Sequence, residues 1–142
     1  MNSHKYTVWY SAEDMYALGK SWLSEIRFHI DEHAFLEKLL AQHFVKLSTQ
    51  DYFHKTQQWI TELSRNQERA KKLHTTIRKH QNKIEVLIDN ENQFEEEAKV
   101  KATFNQLIQK YNEYHQQFRN LKQNIFDLIS SLMKQEHTIL LN

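Results

Sequence analysis

The 142-residue chain contains no proline, no cysteine and a single glycine, Gly19. Average usage would place about 7 prolines and about 10 glycines in a chain of this length. Tight turns rely on glycine for positive φ and on proline for a preset φ, so a fold of many short strands is excluded. The same scarcity removes whole classes of site. Walker-type phosphate loops, dinucleotide fingerprints and the nucleophile elbow each need several glycines so that backbone N–H groups can approach a ligand. Without cysteine there are no disulfides, iron–sulfur clusters or zinc-thiolate sites, which fits a reducing, cytoplasmic setting.

Long apolar runs are missing too. The most apolar stretch, Ile125 to Met133, is interrupted by Asp127, Ser130 and Ser131, and a membrane span needs about 20 apolar residues. The opening MNSHKYTVWYSAEDMYA holds no apolar core of a signal peptide. Nor is there an excess of either charge: 19 basic side chains face 18 acidic ones. That balance argues against nucleic acid as a partner.

What remains is rich in Leu, Ile, Lys, Glu and Gln, residues that lose little rotamer freedom in a helix. The length suits one domain, residues 1–142. Three polar clusters divide it. Ser11 to Asp14 has the spacing of a capping box, with Asn90 and Gln93 repeating it, and Ser48, Thr49 and Asp51 lie between. Helices are expected at about 12–47, 50–88 and 92–139, which at 1.5 Å per residue are about 54, 58 and 72 Å long.

Each segment carries an apolar stripe at alternating three- and four-residue spacing. The first runs Met15, Leu18, Trp22, Ile26, His29, His33, Leu36, Leu40, Phe44, Leu47. The second runs Tyr52, Thr56, Trp59, Leu63, Asn66, Ala70, Leu73, Ile77, His80, Ile84, Leu87. The third runs Phe94, Ala98, Phe104, Ile108, Tyr111, His115, Phe118, Leu121, Ile125, Leu128, Leu132. The fold class is therefore all-α, an antiparallel bundle of three long helices. A four-helix bundle with the third helix broken at 120–131 is the alternative, although no glycine or proline marks a break. Trp22 and Trp59 lie on stripes and belong to the core, while Trp9 and Tyr10 would staple the chain end to a neighbouring helix.

The densest polar feature is Glu25, His29, His33 and Glu37, four residues apart along one helical face. With turns near residues 49 and 90, His33 falls beside Arg65 or Asn66 and beside Tyr114 or His115. His29 falls beside Lys110 or Tyr111. All three stripes turn polar at one height, giving a layer of His29, His33, Asn66, Tyr111 and His115. Such a layer fixes helix register at some loss of stability. The alternative is a core metal site for iron or zinc held by Glu25, His29, His33, Glu37 and His115.

The segment IDEHAFLEKLL resembles the first helix of the hemerythrin family, where an Ile-Asp pair precedes an iron-ligand histidine. The rest of that family's pattern departs here: His54 is followed by Gln58 rather than glutamate, no His-x-x-x-His pair occurs in the third helix, and Asn120 follows His115 where an acid is needed. Oxygen binding is therefore not carried over. The opening Trp22-Leu-Ser-Glu25-Ile-Arg-Phe28 resembles small bacterial helical-bundle proteins, a resemblance that implies a helical fold and no activity.

Between Arg65 and Lys83 seven Lys or Arg stand against one acid, and six acids with no base follow from Glu85 to Glu97. The two runs flank one hairpin and are expected to neutralise each other, for example Lys83 beside Glu95 or Glu96. The functional expectation is a non-enzymatic protein, without cofactor, that acts through protein–protein contact. Self-association is expected through the C-terminal overhang of the third helix, where Ile129, Leu132, Met133, Ile139, Leu140 and Leu141 would otherwise meet water.

Overall fold

Helix boundaries in the computed structural model follow the cap signals closely. It describes residues 10–49, 51–90 and 94–141, with side chains up to Glu136. Helix α1 spans Ala12–Gln42, α2 Phe44–Leu47, α3 Phe53–Asp89 and α4 Phe94–Leu141. No strand occurs among the described residues. The Ser11 hydroxyl accepts from the Asp14 backbone at 3.0 Å, and the Asp14 carboxylate accepts from the Ser11 N–H at 3.3 Å. This reciprocal box satisfies two of the four backbone donors that a helix start leaves without partners.

The first helix stops short of residue 47. At His43 the backbone leaves the helical region, with φ −105° and ψ 11°, and α2 resumes for one turn. The break turns Leu47 fully into the core and leaves Phe44 outside, so Phe44 departs from the expected stripe. Ser48 and Thr49 act in the connection, Ser48 Oγ donating to Phe44 O at 2.7 Å and Thr49 O accepting from Phe53 N at 2.9 Å. At the far end Asn90 closes α3 instead of opening α4: its side-chain amide donates to Val86 O at 2.9 Å. The expected cap partner Gln93 lies outside the described residues.

Contacts fix the helix directions. Gln81 meets Tyr16, Asn66 meets His33 and Thr56 meets Leu47, so α1 and α3 are antiparallel. His29 meets Tyr114 and Lys46 meets Glu136, so α1 and α4 are parallel. Close backbone approach is concentrated at α1–α3 and α3–α4, while α1 and α4 meet mainly through side chains. Helix α4 runs unbroken past residues 120–131, so the bundle has three long helices and one extra turn.

The α4 seam differs from its expected course. Phe94 and Ala98 are exposed, while Val100, Phe104, Leu107, Tyr111 and Tyr114 are buried. A three/four ladder traced back from Phe104 passes through Val100 and then residue 97, missing 98 and 94 by one position. The core forms two clusters. One gathers Met15, Trp22, Ile26, Ala70, Leu73, Ile77, Ile84, Phe104, Tyr111 and Tyr114, and Tyr10 packs its ring edge on Phe104 at 5.2 Å. The other gathers Leu36, Leu40, Leu47, Leu63, Phe118, Leu121, Ile125, Leu128, Ile129 and Leu132, with Trp59 half-buried against it. Trp9 lies outside the described residues.

Candidate functional site

Between the two clusters lies the polar layer. The His33 Nε2–H donates to Asn66 Oδ1 at 2.7 Å. With that proton on Nε2, His33 Nδ1 carries only a lone pair, and this atom is buried without a partner. Burial lowers the His33 pKa against the smaller opposing effect of the Asn66 bond. One turn earlier, His29 Nδ1 lies 2.9 Å from the Tyr114 hydroxyl. Burial pushes His29 down to about 4 despite the carboxylate of Glu32 nearby, so the ring is neutral at pH 7. Burial likewise raises the Tyr114 phenol, which keeps its proton and donates it to the His29 lone pair.

The layer extends outward on the α1–α4 side. His115 is half-buried, its ring 5.6 Å from His29 and stacked on Tyr111 at 5.8 Å. The Tyr111 hydroxyl donates to Glu25, and burial together with that carboxylate raises the phenol's pKa. Lys122 Nζ donates to Glu32 at 2.7 Å and lies 5.2 Å over the Phe118 ring.

The structure thus gathers His29, His33, Asn66 and His115 between the two clusters and adds Tyr114 and Glu32, while Tyr111 lies lower, against Trp22 and Glu25. Tyr114 could have been found: it sits three residues after Tyr111 and four before Phe118, on the same ladder. Four of the five residues of the metal alternative are divided among separate partners, and the fifth, His115, stacks on Tyr111. Glu25 serves Tyr111, His29 serves Tyr114, His33 serves Asn66, and Glu37 accepts from Gln67 on the α3 side. Among the described residues no group of three or more His, Asp or Glu is placed to hold a metal ion.

A second feature lies on the surface beyond this layer. Phe35 and Leu39 of α1 and Phe126, Ile129 and Met133 of α4 line an apolar groove. Phe35 is 55%, Phe126 41% and Met133 54% exposed, a concentration of apolar side chains that folding alone leaves uncovered. The expected C-terminal overhang is shorter than its sequence suggests. Ile129 and Leu132 are buried, and Tyr52 and Lys46 reach Gln135 and Glu136, so the bundle extends that far. The side chains of Ile139, Leu140 and Leu141 lie outside the described residues.

Among the described residues no ion pair joins the two charge runs. Glu96 and Glu97 are paired with Lys99 and Lys101 of their own helix, and Arg65 with Glu62. Arg69 reaches across to α4 but finds Gln117, at 2.5 Å. Exposed pairs of this kind contribute about 0–1 kcal/mol each.

No protein-family model, curated protein or solved structure matches the chain. No helix among the described residues is long and apolar enough to cross a membrane.

Proposed function

We propose that this protein is a non-catalytic helical module that works through protein–protein contact, self-association included. The observation carrying this reading is the groove of Phe35, Leu39, Phe126, Ile129 and Met133 between two helices whose backbones stay apart. Soluble proteins rarely leave contiguous apolar surface of this kind unless it is covered by a partner. Supporting it is the buried layer, where His29 is bonded to Tyr114, His33 to Asn66 and Tyr111 to Glu25, and His33 Nδ1 is buried without a partner rather than facing an open cleft.

The test is a photo-reactive residue placed at Phe35, compared with one at Thr75, which is also exposed but lies on α3 away from the groove. Adducts are expected from position 35 in the purified protein or in the host cell, and none from position 75. Absence of any adduct from position 35 in both settings overturns the reading. Elemental analysis of untagged protein is the complementary check, since a stoichiometric transition metal would favour the metal-binding alternative instead.

A further inference from the structure

Part of the basic run on α3 converges on a second groove, between α3 and α4 and separate from the apolar one. Arg69 and Lys72 stand three residues apart and Thr76 four beyond, so they share one flank of α3. Across from them α4 sets Lys110, Glu113 and Gln117 at the same three- and four-residue spacing. Together they wall a cavity of about 370 Å³, floored by the buried Leu73 and Tyr114. A volume of that size falls within the ~300–1,000 Å³ of small-molecule sites.

Three of the wall's side chains are cations and one, Glu113, is an anion. Glu68, beside Arg69 in sequence, is not part of the wall. None of the four wall charges has an ion pair among the described residues, even though a carboxylate stands in the same groove. Arg69 is nonetheless held in place, its Nη1–H donating across the groove to Gln117 Oε1 at 2.5 Å. A guanidinium carries five N–H donors, so that anchor leaves four of them uncommitted. The hydroxyls nearby offer no competing donor. Thr76 donates its proton to Lys72 O at 2.9 Å, and Tyr114 gives its own to His29. Recognition in this groove therefore falls to an anchored guanidinium fork and two ammonium groups, the donor set that suits phosphate oxygens.

Independently of the apolar groove, we propose that this cavity binds a small organic phosphate. Its phosphate oxygens sit on Arg69, Lys72 and Lys110, and its apolar body lies on Leu73 and the Tyr114 ring. Three cations less one carboxylate leave an excess of two positive charges on the wall. A phosphate monoester carries about −1.5 to −2 at pH 7, which balances that excess. The apolar floor distinguishes such a ligand from inorganic phosphate, which has no body to lay on it. Because the walls are exposed, the attraction is screened by salt.

Phenyl phosphate supplies both parts of this chemistry, inorganic phosphate only the head and phenol only the body. Each is titrated at low salt into the full chain, and backbone amide shifts are followed by NMR. Phenyl phosphate is expected to move residues 69–76 and 110–117 with a dissociation constant on the order of 1 mM. Inorganic phosphate should bind there more weakly, and phenol not at all. Arg69→Ala and Lys110→Ala should each weaken binding about tenfold. Glu113→Gln should tighten it about threefold by removing the one repelling charge. Lys38→Ala is the control, an exposed lysine on α1, which does not border the groove. All four substitutions fall at exposed positions, and retained amide dispersion shows that each variant folds. Absence of shifts in the two segments at tens of millimolar phenyl phosphate would overturn the site. Lys38→Ala weakening binding as much as Lys110→Ala would reduce it to general charge attraction and overturn it too. Inorganic phosphate binding as tightly as phenyl phosphate would remove the organic body, and phenol binding as tightly would remove the phosphate.

Discussion

Between Ala12 and His29 the gap separating α1 from α4 is filled by rings, and between His33 and Leu47 by leucine and isoleucine. In the first half Trp22 stacks on both Phe104 and Tyr111, at 5.3 and 5.2 Å, and His80 lies parallel to Phe104 at 5.9 Å. In the second, Leu36 and Leu40 meet Phe118, Leu121 and Ile125. Rings are long enough to bridge two backbones that do not touch, and they close the seam as far as Phe28, which is itself 64% exposed. Branched aliphatic chains fill the centre but stop short of the outer edge, leaving Phe35, Phe126 and Met133 in water. The aromatic half also buries polar groups with dedicated partners, His80 Nε2 donating to Val100 O at 3.0 Å. The aliphatic half buries little that is polar apart from Thr56, whose hydroxyl reaches Leu47 O at 3.3 Å. The closed half holds the helices in place, and the open half offers a surface.

The largest test of this contrast is Phe104→Ala. Phe104 is 1% exposed and touches the rings of Tyr10, Trp22 and His80. Its truncation is expected to cost about 3–5 kcal/mol. Trp22 reports the aromatic half and Trp59 the aliphatic half, so fluorescence of single-tryptophan variants follows each separately. All three long helices cross both halves, so the two signals should fall together in urea. If the Trp22 signal is lost first, the halves are two cooperative units rather than one.

The layer between the halves gives the next effect. Asn66→Leu removes the acceptor of the His33 Nε2–H and leaves a buried donor alone, at a cost of about 1–3 kcal/mol. Replacing both, His33→Leu with Asn66→Leu, should recover most of that loss or exceed wild type, because a polar pair is exchanged for apolar packing. The double-mutant cycle by urea denaturation measures the coupling. Additive losses would mean that the pair does not act as a unit.

Acidification should distinguish the halves by a smaller amount. His29, His33 and His80 are buried with lowered pKa values, burial being the leading cause in each. They sit in the layer and the aromatic half. Each is neutral when folded and binds a proton near pH 6.5 when unfolded, so the unfolded chain takes up more protons as pH falls. Stability is therefore full above about pH 6.5 and declines toward pH 4, the folded value of His29. From His29 alone the loss at pH 5.5 is on the order of 1 kcal/mol. Hydrogen exchange should quicken in Phe104–Tyr114 before Leu121–Leu132, and His29→Asn should flatten the dependence. A pH dependence unchanged in His29→Asn would remove that histidine as its cause, and equal acceleration in both segments would show that the chain opens as one unit.

The sequence made the architecture legible because its signals are local. A capping box, a polar cluster at 48–51 and three stripes each act within a few residues, and the Ser11–Asp14 box formed as read. Pairing across α1 and α3 was legible too, since His33 meets Asn66. Height on α4 was not: His29 meets Tyr114, one turn beyond Lys110 or Tyr111. That height depends on which residues of α4 take the seam, and ahead of Phe104 it is Val100 that is buried, not Phe94 or Ala98. The groove was hidden for a related reason. Phe35 and Phe126 lie off the main stripes, and whether such residues are covered depends on how far apart two helices settle.

Gly19 offers the smallest and finest test. It is the chain's only glycine and stands inside α1, where glycine costs about 1 kcal/mol relative to alanine. Its place is explained by Gln81, which is buried and donates its amide to Tyr16 O at 2.9 Å. A Cβ at position 19 would stand 2.4 Å from Gln81 Oε1, closer than atoms can approach. The obstacle is the end of a flexible side chain, so Gly19→Ala forces Gln81 to swing away rather than forcing the helices apart. The gain of about 1 kcal/mol in helix propensity is then offset by loss of a hydrogen bond that contributes about 0.5–1.5 kcal/mol. The single substitution should leave the melting temperature nearly unchanged. In a Gln81→Ala background the bond and the obstacle are both gone, and the same Gly19→Ala change should stabilise by about 1 kcal/mol. The aliphatic half has no glycine and no side-chain amide laid against a neighbouring helix backbone among its described residues, so this sign change belongs to the closed half. Equal effects of Gly19→Ala in both backgrounds would show that Gln81 does not rest on Gly19.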